Sequence, residues 1–121
     1  MIDHVTLSVS DFGKALGFYR SALGALGFEV QGLDEAGRCA GFGLKDQQCL
    51  WIAEGKRKPA VHIAFRSGSR TAVQAFHRAA LGAGGKDNGA PGARADYGPK
   101  YYAAFVIDPD GNNIEAVTHQ E

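Results

Sequence analysis

The chain of 121 residues carries 13 Lys and Arg against 13 Asp and Glu, so its formal net charge is zero, and 45% of its residues are hydrophobic. A chain of this length builds one ordinary domain around its own core. Balanced charge argues against nucleic-acid binding, which normally requires a clear excess of Lys and Arg. The two cysteines, Cys39 and Cys49, are too few for a disulfide framework or a cysteine zinc site and fit a reducing compartment.

Targeting signals are not recognisable in this sequence. The amino terminus, Met1 to His4, lacks a basic segment followed by an apolar stretch, and no run of about 20 apolar residues occurs. The sequence therefore predicts a soluble, cytoplasmic protein that binds neither membrane nor nucleic acid.

An internal repeat emerges when the sequence is compared with itself at an offset of 58 residues. Phe18 to Ala25 then aligns with Phe76 to Ala83, and His4 aligns with His62. The sequence predicts a single domain over residues 1–121, with module one at 1–55, module two at 59–121 and a linker at 55–59.

In the first module, the alternation of Val5, Leu7 and Val9 predicts a half-buried strand. Ser10-Asp11 is a helix N-cap, and apolar residues then recur at helical spacing until Gly27. Further strands are expected near 28–33, 38–44 and 49–53, separated by turns at 34–37 and 45–48.

The second module repeats this order. Its opening strand alternates Val61, Ile63 and Phe65, and Ser69 caps a helix that closes near Gly82. The glycine-rich stretch 84–99 is expected to be mostly loop with room for one short strand, before strands at 101–107 and 113–118. The turn Asp108 to Gly111 predicts a hairpin. The predicted fold is α+β, with the order βαβββ twice.

Three polar residues lie at matched places in this pattern. His4 and His62 both occupy opening strands, on the face opposite the apolar residues. Glu115 shares a face of the last strand with Asn113 and Val117. A buried carboxylate is costly unless it is paired or metal-bound. Two imidazoles and one carboxylate form a facial triad, which suits divalent Fe, Ni, Zn, Co or Mn and leaves positions open for substrate.

Three further residues are candidates for substrate contact. Trp51 is either core filler or an aromatic wall of the site. A tight hairpin turn would place Ala104 opposite Glu115 and aim the phenol of Tyr102 into the site, as a general acid or an orienting group. Arg38 aligns with Tyr102 at an offset of 64 residues and is either simply exposed or binds a substrate carboxylate.

At these residues the sequence resembles the vicinal oxygen chelate superfamily, also called the glyoxalase, bleomycin resistance and extradiol dioxygenase group. The resemblance covers nearly the whole chain and is most specific at Asp108 to Glu115, a DPDGNxIE signature. It rests also on Ile2 to Asp11, Phe18-Tyr19 and Val61 to Phe65. The resemblance implies that the sheets of the two tandem βαβββ modules form a cup-shaped, partly open barrel around a metal held by His4, His62 and Glu115.

The sequence departs from the glyoxalase I enzymes of this group, which typically add a fourth ligand from the last strand of the first module. Alignment at an offset of 64 residues puts Trp51 opposite Glu115, and an indole does not ligate a metal. The site therefore has three ligands, or its fourth comes from elsewhere, and glyoxalase I activity is disfavoured.

The resemblance predicts a metal-dependent enzyme whose small substrate chelates the ion through neighbouring oxygens, in a lyase, isomerase or ring-cleaving dioxygenase reaction. Glu115 and Tyr102 would be catalytic, and Trp51, Arg38 and Tyr102 would bind substrate. Alternatives are a bleomycin-resistance-like protein that binds a small molecule or antibiotic without turnover, and an idle domain stabilised by metal. The retained ligand set favours the enzyme, as does the zero net charge, which offers no net attraction to a cationic drug. Monomer and homodimer both stay open, and in a shared site His4 and His62 would pair across the interface.

Overall fold

Two copies of the predicted βαβββ pattern make up the fold. The computed structural model describes residues 3–45, 47–56 and 60–120. Both helices contain 13 residues, and they begin 58 positions apart, at Phe12 and Arg70, which confirms the repeat. The elements are β1 (Val5–Val9), α1 (Phe12–Gly24), β2 (Glu29–Asp34), β3 (Cys39–Leu44), β4 (Gln47–Glu54), β5 (His62–Arg66), α2 (Arg70–Gly82), β6 (Lys86–Ala93), β7 (Tyr102–Ile107) and β8 (Asn113–Thr118).

Each module forms its own four-stranded sheet. The strand orders are β1-β4-β3-β2 and β5-β8-β7-β6. In each sheet the first strand of the module pairs in parallel with the last, and the other pairs are antiparallel. Neither sheet closes on itself, so the α+β prediction and the partly open, cup-shaped arrangement are confirmed.

The helix starts are set by side-chain caps at the predicted residues. Asp11 accepts a hydrogen bond from the Lys14 amide at 3.1 Å, and Ser69 accepts one from the Ala72 amide at 3.1 Å. Such caps satisfy amides that have no partner within the helix. Helix α1 ends at Gly24, earlier than predicted, and Gly27, at φ 88°, completes the turn toward β2.

One apolar core joins the two modules. It includes fully buried residues from both helices and both sheets, and the rings of Phe28 and Phe65 approach to 5.9 Å across it. Because both sheets cover this core with one face, their opposite faces point away from it. In the described part of the chain, neither helix is long and apolar enough to cross a bilayer.

The glycine-rich stretch departs from the prediction. It contains β6, an eight-residue edge strand whose pairing with β7 is interrupted by register shifts around Gly89. Edge strands tolerate Pro91 and glycines because only one side must pair. Near the start of β6, the carboxylate of Asp87 lies 2.9 Å from Nε2 of His77. This contact, together with a hydrogen bond from the Gly89 amide, lowers the pKa of Asp87.

The predicted register of the final hairpin is wrong by one residue. Phe105, not Ala104, lies opposite Glu115, and Tyr102 lies opposite Thr118. The turn includes Asn112 because its amide donates to the Asp108 carboxylate at 2.7 Å. The connection is therefore longer than the tight turn that was expected.

Two predicted connections are seen only in part. β4 begins at Gln47, so the second half of the expected 45–48 turn is strand, and Asp46 lies outside the described residues. Residues 57–59 of the expected linker also lie outside them.

Candidate metal and substrate site

Glu115 is the most deeply buried carboxylate on the open face of the second sheet. Its neighbours Ile114 and Ala116 point into the core, so the strand alternation turns Glu115 to the opposite face. The residue is only 2% exposed. A charge buried to this degree needs partners, and two side chains provide them, His62 and Tyr101.

The ring of His62 has a defined tautomer. Its Nδ1 lies 2.9 Å from the carbonyl oxygen of Asn113, and because a carbonyl only accepts, Nδ1 carries the hydrogen. In the neutral ring, Nε2 is then an acceptor, and it lies 3.0 Å from Oε1 of Glu115. Two acceptors at this distance require a proton or a cation between them.

The same distance fits a divalent ion. Ligands that each lie about 2.1 Å from an ion and meet it at a right angle are about 3.0 Å apart. Imidazole nitrogen with carboxylate oxygen is a donor set that suits Fe, Ni, Zn, Co and Mn. His62 and Glu115 therefore fit two adjacent positions of such an ion.

Tyr101 is a site residue that the sequence reasoning missed. Its hydroxyl donates to Oε2 of Glu115. Burial raises the pKa of Tyr101 most. The hydrogen bond to Glu115 and the negative charge of that residue raise it further, to about 12. The rings of Tyr97 and His119 each pack edge-on against it at 5.3 Å. A hairpin register one residue longer would have placed Tyr101, rather than Tyr102, on this face.

His4 does not join this pair within the described chain. It precedes β1 on the other sheet, is half exposed, and its Nδ1 lies 2.8 Å from Oδ1 of Asp3. Across residues 3–45, 47–56 and 60–120, no three His, Cys, Asp or Glu side chains converge to hold one ion. Like His62, however, His4 engages the protein through Nδ1, which leaves Nε2 as the nitrogen for a ligand.

Trp51 occupies the position of the first module that corresponds to Glu115. It pairs with Thr6 and Gly41, as Glu115 pairs with Ala64 and Phe105. The half-buried indole lies against the strand backbone, since a Cβ added at Gly41 would come within 2.7 Å of its Cε2 atom. Glycine in β3 thus makes room for an aromatic wall on the open face of the first sheet.

Tyr102 and Arg38 lie away from the buried carboxylate. The hydroxyl of Tyr102 accepts a hydrogen bond from Gln74 of α2 at 2.9 Å, so the expected orientation into the site is wrong. Its register position, opposite Thr118, puts it on the helix face. Arg38 forms an ion pair with Glu54 at 3.2 Å. Glu54 lies at the end of β4 that pairs with Val9, whereas His4 precedes the opposite end of β1.

A cleft of about 640 Å³ lies elsewhere, at the junction of the modules. Lys14, Lys86 and the turn from Asp108 to Gly111 line it, whereas His62 and Glu115 do not. The acid and histidine pair instead lies on the open sheet face.

The protein has two βαβββ modules, and a buried acid lies beside a strand histidine in the second. Its class is a paired-module α+β protein. The sequence profile of the Glyoxalase/Bleomycin resistance protein/Dioxygenase superfamily matches residues 1–116, and the chain belongs to this superfamily. Among curated proteins, no match is found.

Solved structures share the fold over nearly the whole chain. A glyoxalase/bleomycin resistance protein from Albidiferax ferrireducens T118 is 26% identical, with 96% of each chain covered and a TM-score of 0.79. A glyoxalase-related enzyme from Fulvimarina pelagi is 16% identical, with 98% of this chain and 87% of that chain covered and a TM-score of 0.73. A glyoxalase/bleomycin resistance protein/dioxygenase family enzyme from Burkholderia phytofirmans PsJN is 17% identical, with 98% of each chain covered and a TM-score of 0.70.

Proposed function

We propose that this protein is a metal-dependent enzyme whose small substrate binds a divalent ion through two neighbouring oxygens. The ion, one of Fe, Ni, Zn, Co or Mn, would be held by His62, Glu115 and His4. The observation that carries the proposal is the 3.0 Å approach of Nε2 of His62 to Oε1 of the buried Glu115, a contact that either a shared proton or a bound cation satisfies and whose spacing fits two ligands of one ion. The reaction class is a lyase, an isomerase or a ring-cleaving dioxygenase.

His4 would come from a second copy of the chain. Both sheets use one face for the shared core, so the faces that carry His4 and Glu115 point away from it. A homodimer that places the first module of one chain against the second module of the other would bring His4 to the pair. Trp51 would then form the opposite wall of the same cup.

When bound, the ion supplies Lewis-acid chemistry at the substrate oxygens. Glu115 would contribute the negative charge that holds the ion, and Tyr101 donates to Oε2 of that carboxylate, so that Oε1, the oxygen facing His62, would be the one available to the ion. The carbonyl of Asn113 orients His62 with Nε2 toward the site. Tyr101 takes the place that the sequence suggested for Tyr102, and the indole of Trp51 covers a flat part of the substrate.

A reducing, cytoplasmic location accompanies this proposal. Cys39 and Cys49 are both free thiols, and a readily oxidised ion such as Fe(II) is also best kept in a reducing compartment.

Elemental analysis of protein purified anaerobically, without added metal, tests the proposal. We expect near-stoichiometric metal in the wild type and its loss in His62→Gln and Glu115→Gln, whereas Glu35→Gln, in an exposed turn, keeps it. Iron would direct assays to catechols and oxygen uptake, and the other ions to isomerases and lyases. If the wild type stays empty after dialysis against all five metals, the enzyme proposal fails and binding without turnover replaces it.

A further inference from the structure

A partly buried arginine lies on the open face of the second sheet, one aromatic ring away from His62 of the proposed metal pair. Arg94 follows β6, and its side chain folds back along that strand. Its Nη2 donates to the carbonyl oxygen of Ala90 at 2.7 Å, and its Cζ lies 5.5 Å from the centre of the Phe105 ring. The guanidinium is thereby held against an aromatic ring instead of extending into solvent.

The glycines of β6 make room for this guanidinium. A Cβ added at Gly89 would lie 2.9 Å from the Phe105 ring and 3.2 Å from Nη2 of Arg94. A Cβ added at Gly92 would lie 3.0 Å from Nη1. The glycine-rich stretch is thus a platform that positions Arg94.

Phe105 connects the arginine to the metal pair. It lies directly opposite Glu115 in the sheet, and its ring is nearly parallel to that of His62, with centroids 6.3 Å apart. Arg94 is therefore one aromatic ring away from His62. Among residues 3–45, 47–56 and 60–120, no carboxylate forms an ion pair with Arg94.

We propose that Arg94 binds a carboxylate of the substrate, which is then a small anion with two neighbouring chelating oxygens and a separate carboxylate. This inference rests on the proposed function, because the chelating oxygens require the metal. A planar guanidinium matches a carboxylate in bidentate fashion, and the contact strengthens when water is excluded. Arg94 replaces Arg38, whose guanidinium already pairs with Glu54.

Hydroxamates provide a probe that is independent of the reaction, because they bind metals through two neighbouring oxygens. The monohydroxamates of succinic, glutaric and adipic acid carry a distal carboxylate, and their methyl esters are matched neutral controls. Calorimetry on the metal-loaded protein measures the ratio of acid affinity to ester affinity. We expect the wild type to prefer the best acid by about 10- to 100-fold. In Arg94→Gln the ratio falls to near one while the ester affinity is unchanged.

Arg94→Lys keeps the charge without the planar fork and should retain only part of the preference. Arg78→Gln, on an exposed position of α2, should retain all of it. The inference is overturned if the wild type shows no preference for any acid, or if Arg38→Gln rather than Arg94→Gln abolishes the preference. Those outcomes leave the metal proposal intact as long as the esters bind in a metal-dependent way. If the esters do not bind and the protein does not load metal, both the metal proposal and the inference about Arg94 are overturned.

Discussion

At the scale of single residues, the burial of Glu115 is the central feature of the proposed site. The carboxylate has one oxygen bonded to Tyr101 and the other 3.0 Å from His62. Hydrogen bonds to a charged group contribute about 1.5–3 kcal/mol each. Tyr101 therefore holds the carboxylate in place before any ligand arrives.

Tyr101→Phe should weaken metal binding and lower the free energy of unfolding by about 1.5–3 kcal/mol at neutral pH. Urea denaturation measures the stability, and titration with Co(II), followed by its absorption spectrum, measures the metal affinity. Tyr97→Phe is the control, because Tyr97 is 66% exposed. Equal effects of the two substitutions would show that the bond to Glu115 contributes nothing.

The raised pKa of Tyr101 adds a pH dependence. Its folded-state pKa of about 12 exceeds the ordinary value of 10.0, so its contribution is complete below pH 10 and is lost as the pH rises toward 12. The difference in stability between the wild type and Tyr101→Phe should shrink over that range. A difference that stays constant from pH 9 to pH 12 would contradict the assignment.

At the scale of elements, the turn between β7 and β8 ties the two modules together. Oδ1 of Asp108 accepts hydrogen bonds from the amides of Asp110 and Asn112, at 2.9 and 2.7 Å. Oδ2 accepts from the hydroxyl of Tyr19, in α1, at 2.5 Å and from Nδ2 of Asn112 at 2.8 Å. Burial, followed by the charge of Asp108, raises the pKa of Tyr19 well above its ordinary value.

The rest of the turn reaches other strands. Asp110 accepts from the Ser10 amide at 2.8 Å, and Asn112 accepts from the Val61 amide at 3.0 Å. The polar residues of the DPDGN segment therefore serve as a junction. The hydrogen bonds of these polar residues are made within the turn, to α1 and to the residues that adjoin β1 and β5, so the motif contributes structure, while the strand that follows it delivers Glu115.

Asp108→Asn should lower the free energy of unfolding by about 3 kcal/mol, because an amide offers one acceptor oxygen to four buried or partly buried donors. Urea denaturation measures the loss. Asp34→Asn changes the same group at the exposed end of β2, where Asp34 accepts from the Gly37 amide, and should cost under about 1 kcal/mol. Similar losses in the two variants would refute the junction role.

At the scale of the whole molecule, the position of the shared core decides how a site is completed. The core occupies one face of both sheets, which leaves His4 and the Glu115 pair on faces that point away from it. A second chain can supply the complementary module, and the repeat gives the two halves of such a cup the same backbone arrangement, with Trp51 on one side where the other carries Glu115. This arrangement leads to a genetic test of the proposed dimer.

Coexpression of His4→Ala with His62→Ala tests whether sites are shared. Each variant alone should lose metal binding. In a shared arrangement, the mixed dimer carries one site with both substitutions and one intact site, so differently tagged chains purified together should bind about one metal per dimer. No recovery in the mixed dimer would place each site within a single chain.

Much of the fold follows from local patterns. The caps at Asp11 and Ser69, the alternation along β8 and the matched helices all depend on neighbouring residues, whose spacing sets which face is apolar. The equivalence of Trp51 and Glu115 follows from the repeat in the same way. The stretch 84–99 was expected to hold at most one short strand, and the length and position of β6 escaped prediction because glycines and a proline give no alternation and backbone pairing with β7 alone defines the strand.

The sequence by itself determined the repeat, the apolar faces of β1, β5 and β8 and the identity of the acid and histidines, because periodicity and helix capping are short-range effects. Only the tertiary structure decided the register of the last hairpin, because the Asp108 carboxylate that includes Asn112 in the turn also accepts a hydrogen bond from Tyr19, 89 positions away in the chain. It also decided that Tyr101, rather than Tyr102, contacts the buried carboxylate, and that Arg94 packs on Phe105, the residue opposite Glu115, whereas Arg38 pairs with Glu54. A shift of one residue in an antiparallel pair moves every side chain to the other face, and turn length, which sets that register, depends on contacts between the modules.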